Sequence, residues 1–444
     1  MGSGVRIQSA VLDGPGDAAV RDEYIVHGSS LDAVRSALAS IDVAVAREFA
    51  IIDGATARLT EPQLEVLRGM SDLHVFPNAV VETSGRGQGG SKRQKASTTT
   101  TSESGSEAYE TDAETVYVSS DATASDSDLL DWIIDATNTE APPAPAFPAR
   151  VRAHEAHKAG YDGTGVTVAV LDTGFTAIDG LQFGTSGYRI RGGYDAIENA
   201  EWTAYFDGSG HGTHVTSIVI NNDRGEGGAA TGIAPNADLV FVKAFDADGR
   251  GTYGNVVAGL EWVLENRDQH GIRILNLSFS APVRSHYWDD PINKAVMKLW
   301  QAGVVVVASA GNTGPDPMTI GVPGNNPYVV TVGAMSDNYT TDGSDDVLAS
   351  FSAAGPTYEG FVKPEIVAPG GHVIGVMSSF TSRIALEHPE YQINEHYFRM
   401  SGTSQATAVV TGVAALLLQA HPWLTPADVK CQLMASAVPA RKGD

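Results

Sequence analysis

Apolar residues recur along this chain in two rhythms. Between about residues 22 and 83 the runs are short. Glu23-Tyr24-Ile25-Val26-His27 reads as a strand, and Ser30 as the cap of a helix whose Val34, Leu38 and Ile41 share one face. Val43 to Ala50 and Ile51 to Leu59 read as two strands around Asp53-Gly54. Glu61 to Met70 reads as a second amphipathic helix with Leu64 and Leu67 inward, and Leu73 to Val81 as a last strand. The order βαββαβ predicts a small ferredoxin-like α+β unit. From about residue 150 the runs become nearly continuous: Val166 to Leu171, Leu239 to Val242, Ile272 to Leu277 and Val304 to Ala308. Such runs suit strands buried on both faces of a parallel sheet. Helical segments lie between them, as in 255–266 and 291–302, so the chain predicts an α/β doubly wound parallel sheet. Ligands of such sheets bind beyond the carboxyl ends of the strands.

Between the two regions the apolar rhythm stops. Gly85-Arg86-Gly87-Gln88-Gly89-Gly90 and the threonine run 98–101 cannot repay the entropy of ordering. Val116-Tyr117-Val118 and Leu129 to Ile134 are short apolar islands, and Pro142-Pro143-Ala144-Pro145 is a semi-rigid spacer. The expected organisation is a tail over 1–21, the ferredoxin-like unit over 22–83, an acidic Ser/Thr/Gly-rich linker over 84–146 and the α/β domain over 147–444.

Charge narrows the function. Among 444 residues there are 29 Lys and Arg against 53 Asp and Glu, a net charge of −24. A nucleic-acid binder needs a basic footprint, and an anionic membrane surface repels such a chain. No transmembrane span and no signal peptide are read from the sequence. The single cysteine, Cys431, excludes an internal disulfide and a cysteine-based zinc site. Its place beside Leu433 predicts a buried, inert thiol.

Four residues at ends of predicted elements carry chemistry. Asp172 closes the first buried strand. His211 opens Gly-His-Gly-Thr-His before a helix, Asn312 follows the strand at 304–308, and Ser404 begins the apolar helix after Gly402-Thr403. Singly, each has a plain structural reading, such as a cap or a turn residue. His211 and His214 lack the Glu of a zinc-protease helix. Together they supply what acyl transfer by serine requires: a nucleophile, a base, a carboxylate that orients the base, and an oxyanion donor. No Gly-x-Gly-x-x-Gly follows the first strand, which counts against the dinucleotide-binding alternative. A serine-carboxyl peptidase would use a Glu base and would not need His211.

The motifs Val168-Ala169-Val170-Leu171-Asp172-Thr173-Gly174, His211-Gly212-Thr213-His214-Val215, Ala310-Gly311-Asn312 and Gly402-Thr403-Ser404 with Ala406 resemble those of subtilisin-like serine proteases, the subtilases (peptidase family S8). The resemblance covers about 150–440, and the first unit resembles that family's inhibitory propeptide. It implies a serine endopeptidase made as a zymogen, with Asp172, His211 and Ser404 as triad and Asn312 in the oxyanion hole. Its polypeptide substrates would be bound by Leu277, Ser278, Phe279, Ser280, Ala310 and Gly311. The propeptide would act as a partner in cis, with cleavage between about residues 82 and 150. No cofactor is required for the chemistry. Structural calcium is implied by the family, and the acidic loop 336–346, with Asp337, Asp342, Asp345 and Asp346, is the place for it. His214 is expected to be structural, and Glu201, Asp207 and Asp289 to be solvated acids at the cleft rim. The resemblance implies secretion; without a visible signal, the alternative is cytoplasmic. Departures from the family pattern are Gln405 for the usual Met, Ala408 for Pro, Thr411 for Ala, Phe279-Ser280 for Leu-Gly, and an early end at Asp444. These departures keep open an impaired, binding-only module or a truncated fragment.

Overall fold

The computed structural model describes residues 22–83, 144–202, 205–225, 228–338, 340–378 and 381–440. The glycine-rich run, the two apolar islands and the start of the proline-rich spacer lie outside these residues.

The first region is built from β1 (Asp22–Gly28), α1 (Leu31–Ser40), β2 (Val45–Phe49), β3 (Gly54–Leu59), α2 (Glu61–Arg68) and β4 (Leu73–Pro77), with its antiparallel sheet in the order β2-β3-β1-β4. Ser30 caps α1 by accepting the Ala33 N–H at 3.2 Å. Alternation along β1 sends its side chains to two different cores. Val26 joins Val34, Leu38, Leu64 and Leu67 beneath the two helices, whereas Ile25 faces away from them into the main body of the protein.

Two predictions fail here for identifiable reasons. Ile51 and Ile52 do not continue a strand. They form a 3₁₀ turn over Ala50–Ile52, closed by Asp53 at φ 51°, and bury themselves in the main body. The last strand is two strands. Pro77 ends β4, since it has no N–H to extend a ladder. The chain then crosses to form β5 (Val80–Thr83) in another sheet.

Among the described residues the main body has seven parallel strands. They are β6 (Thr167–Asp172), β7 (Ile190–Asp195), β8 (Asp238–Lys243), β10 (Ile272–Leu277), β12 (Val305–Ser309), β13 (Val330–Ser336) and β14 (Ile366–Pro369), side by side as β7-β8-β6-β10-β12-β13-β14. Short antiparallel strands, Ala200–Glu201 and Val347–Leu348, pair with β7 and β13. Helices α3 (His211–Ile220) and α6 (Thr403–Ala420) cover one face, and α4 (Tyr253–His270) and α5 (Pro291–Gln301) the other. Along β6, Val168 and Val170 face the first pair while Ala169 and Leu171 face the second. The doubly wound parallel sheet is therefore as expected. The helix α6 is long and apolar enough to cross a membrane by composition, against the reading of the sequence. Its apolarity is explained by burial, since 78% of it lies inside the fold. A last helix, α7 (Pro426–Ser436), buries Val429 and Leu433; Cys431 falls between them on the turn, points outward and is exposed, which corrects the buried-thiol expectation.

The two regions are joined by a third, three-stranded sheet in which β5 lies between β9 (Arg250–Thr252) and β11 (Phe279–Ser280), antiparallel to both.

Candidate active site

Three of the four chemical residues sit where an element begins or ends, and Asn312 lies in the loop after β12. Asp172 is the last residue of β6, His211 the first of α3, and Ser404 the second of α6; all three are fully buried. The His211 Nδ1 lies 2.6 Å from Asp172 Oδ1, which also accepts the Thr173 N–H at 2.8 Å. A carboxylate at Nδ1 keeps the proton there and leaves Nε2 as the basic nitrogen. That Nε2 is buried with no hydrogen-bond partner. Gly212 is required beside it, because a Cβ there would lie 2.2 Å from the Gly174 carbonyl oxygen.

The Ser404 hydroxyl donates to the carbonyl of Ser278 at 2.9 Å. Asn312, half-buried, is held from one side only: its Oδ1 accepts both the N–H and the hydroxyl of Thr403 at 2.9 Å. The amide NH₂ is thereby left to face elsewhere. The structure thus brings the oxyanion candidate to the first turn of the helix that bears Ser404, whose N–H groups and dipole favour negative charge.

The residues expected to bind substrate are also together. Leu277 ends β10, Ser278 follows, and Phe279 and Ser280 form β11. Gly311 adopts φ +107° against them, where a Cβ would meet the Ser280 hydroxyl at 2.9 Å. Ala310 is buried and its carbonyl accepts the Gly321 N–H at 3.1 Å. The lane beside β11 is filled by β5, with Thr83 opposite Phe279 and Glu82 opposite Ser280. Val81 is buried there among Phe245, Phe279 and their neighbours.

Sequence reasoning missed Asp207. Expected as a solvated rim acid, it is 1% exposed. Its Oδ1 accepts the Thr173 hydroxyl and the N–H groups of Ser209 and Gly210, and its Oδ2 accepts the N–H and hydroxyl of Thr213. Thr173 in turn accepts the Gly212 N–H at 2.9 Å. Asp207 therefore ties the loop after Asp172 to the first turn of α3. Its spacing, four residues before His211, was the available signal. Of the other two acids, Glu201 is exposed on an edge strand and Asp289 sits at the contact with the first region. His214 is buried, its pKa lowered to about 3 by desolvation, and its Nε2 faces the Phe398 carbonyl at 3.1 Å. Gln405 is the anomaly: it is fully buried and both polar atoms of its amide lack partners.

In the acidic loop three of the four carboxylates are engaged by protein donors. Asp346 is engaged by Arg150, with Nε at 3.0 Å from Oδ2; Asp345 accepts the Thr340 hydroxyl, and Asp342 accepts from Ser344. Among the described residues no group of three or more His, Cys, Asp or Glu is placed to hold a metal ion.

A model of the subtilase family (peptidase S8) matches residues 163–444. Serine protease AprX of Bacillus subtilis (strain 168) is 40% identical over 273 residues, 60% of this chain and 60% of that protein. Subtilisin DY of Bacillus licheniformis is 32% identical over 289 residues, 65% of this chain and 89% of that protein. The chain thus spans less than two thirds of AprX. Among solved structures, fervidolysin from Fervidobacterium pennivorans, a keratinolytic enzyme related to subtilisin, aligns with a TM-score of 0.63 at 22% identity, over 95% of this chain and 58% of that one. At that identity the likeness is one of fold.

Proposed function

The chain belongs to the subtilase family, and from that premise we propose that it is a serine endopeptidase made as a zymogen, with Ser404 as nucleophile. The observation that carries the reading is the buried Asp172–His211 pair, 2.6 Å apart, with an unpartnered Nε2. In the reaction the Ser404 hydroxyl leaves the Ser278 carbonyl by rotation about χ1 and turns to His211. Its oxygen attacks the scissile carbonyl carbon while Nε2 takes its proton, and Asp172 stabilises the imidazolium. The oxyanion is met by the Asn312 NH₂ and the Ser404 N–H. The proton then passes from Nε2 to the departing amine, leaving an acyl-enzyme. A water that gives its proton to Nε2 hydrolyses the ester and regenerates Ser404.

The substrate is an extended polypeptide that takes the lane now held by β5, adding a strand between β9 and β11. Ladder bonding in that lane recognises main chain, so one site accepts many sequences. Residues 22–83 act as the inhibitor in cis. Their docking is supported by Ile25, Ile51 and Ile52 in the core beneath α4 and α5. The Asn78 side chain accepts the Gly254 N–H at 2.7 Å, and the Ala79 carbonyl accepts the Tyr253 N–H at 3.0 Å. These contacts satisfy amides of the first turn of α4.

The test uses the full chain and a Ser404→Ala twin, each incubated with casein while its own mass is followed. The wild type alone should digest casein and lose an N-terminal piece ending between residues 82 and 150. Equal behaviour of the two chains would refute the proposal.

A further inference from the structure

Beyond its first turn, the helix that carries Ser404 holds another buried polar side chain whose bond leaves the helix. Thr411 lies seven residues after Ser404, close to two turns, so the two share a face. Thr407 provides an internal control: its hydroxyl donates to the Thr403 carbonyl one turn back, at 2.7 Å. Thr411 instead donates across to the Asn276 side chain, 2.9 Å from its Oδ1. Asn276 Nδ2 donates to the Ser278 hydroxyl at 2.9 Å, and that hydroxyl gives its single proton to the main-chain carbonyl of Ser404 at 3.1 Å. Asn276, Ser278 and Thr411 are all 0% exposed, so no solvent can replace a missing link.

The direction of the chain is set at its near end. The Ser404 carbonyl can only accept, so Ser278 gives it its proton and accepts from the Asn276 NH₂, which turns the Asn276 oxygen toward the Thr411 hydroxyl. Ser278 then has its lone pair occupied and its proton aimed at Ser404. Ser278 also accepts the Ser404 hydroxyl on its own carbonyl. Both the backbone and the Oγ of Ser404 are therefore registered against one residue, which is itself held by the Asn276–Thr411 pair.

We propose that Thr411 is a positioning residue for Ser404, acting through Asn276 and Ser278; this rests on the reading of Ser404 as nucleophile. Without the Thr411 hydroxyl, Asn276 Oδ1 is buried with no donor. The amide is then free to turn over, and a turned amide sets its oxygen against the Ser278 hydroxyl and draws that proton away from Ser404. A nucleophile displaced by a fraction of an ångström loses rate, whereas main-chain binding of the peptide is unaffected. A full ångström costs about 10²-fold, so the expected loss in kcat is about tenfold.

The experiment compares self-processed wild type, Thr411→Val, Thr411→Ser and Ser278→Ala on one peptide substrate. Active sites are counted with a fluorophosphonate and Tm is read in parallel. Thr411→Val should lower kcat per titrated site about tenfold with KM within twofold, Ser278→Ala should do the same, and Thr411→Ser should restore kcat to within twofold of wild type. A Thr411→Val enzyme with wild-type kcat per site overturns the proposal, even if its Tm falls. If that variant does not fold, Ser278→Ala decides by the same criterion. An inactive wild type would instead refute the protease reading and this inference with it.

Discussion

The two folded regions hide their polar groups for different purposes. In residues 22–83 the buried polar side chains, among those described, are His27 and Thr56. Both belong to the face turned toward the main body: His27 Nε2 lies 2.9 Å from the Asp289 carbonyl, and Thr56 lies against Gly254. Elsewhere in that region the apolar-in, polar-out pattern is kept. In the main body one set of buried polar groups, Asp172, Thr173, Asp207, His211, Ser278 and Ser404, lies at the carboxyl ends of the strands, and another, Asn293, Asn326, Thr331 and Lys363, is bonded together elsewhere. A buried polar group costs free energy unless it is bonded. In the first region that cost falls on the face toward the main body, and in the main body part of it falls on the candidate site.

The comparison breaks first at the triad. Asp172→Asn keeps size and shape but gives His211 an amide in place of a carboxylate, favouring the wrong tautomer. It should lower kcat roughly 10⁴-fold with the fold intact, measured on casein-derived peptides beside a circular dichroism spectrum. Asn312→Ala removes one oxyanion donor. The cost should be about 10²–10³ in kcat, the magnitude known for the corresponding loss in subtilisin itself, with KM little changed. A loss confined to KM would move Asn312 from the oxyanion to ground-state binding.

The docking face gives the next effect. His27 is desolvated, its Nδ1 is 3.2 Å from Lys294 Nζ, and it stacks on His74 and Phe76. Asp289 offers its carbonyl to His27 and a carboxylate 3.9 Å from His74. Burial, then Lys294 and His74, lowers the His27 pKa from 6.5 to about 3. The docked state therefore favours the neutral ring. Docking is strongest above pH 6.5 and weakens as pH falls from there toward 3. At pH 5 the loss is at most about 2 kcal/mol, the value for a ring that regains a pKa of 6.5 on undocking. In the Ser404→Ala chain, amide exchange of β1 and β4, corrected for intrinsic rate, should speed up between pH 7.5 and 5, and His27→Gln should remove most of that dependence. Exchange that slows on acidification would contradict this reading.

The smallest effect concerns Gln405. Gln405→Met conserves volume and removes two unpaired polar atoms. It should stabilise the chain by about 1 kcal/mol, read as a raised denaturant midpoint at unchanged m. A destabilised variant would mean that the amide has a partner in solution.

How far the sequence could be read follows from the same physics. Four of the seven parallel strands, and the placing of Asp172, His211, Asn312 and Ser404 near the ends of elements, were legible, because continuous apolar runs and their Gly-flanked ends are local signals; Ile190–Asp195, Val330–Ser336 and Ile366–Pro369 were not named. The turn at 50–52 and the break at Asn78 were not. Ile51, Ile52 and Val81 are apolar because of the surface they dock on, which no local window contains. Asp207 looked like any loop acid, since its five donors come from both sides of His211 and from Thr173. Cys431 was misplaced because two residues along a helix turn a side chain some 200° around the axis. The run from Thr411 to Ser278 joins positions more than 130 residues apart in the sequence, so only the folded chain brings it together.

Everything proposed for this site depends on Ser404, activated by His211, being the nucleophile. That role is tested most directly by reacting the full chain, after self-processing, with a fluorophosphonate and mapping the adduct by peptide mass. One adduct is expected, on Ser404, absent from Ser404→Ala and nearly absent from His211→Ala. An adduct on another residue, or equal labelling of all three chains, would contradict that role.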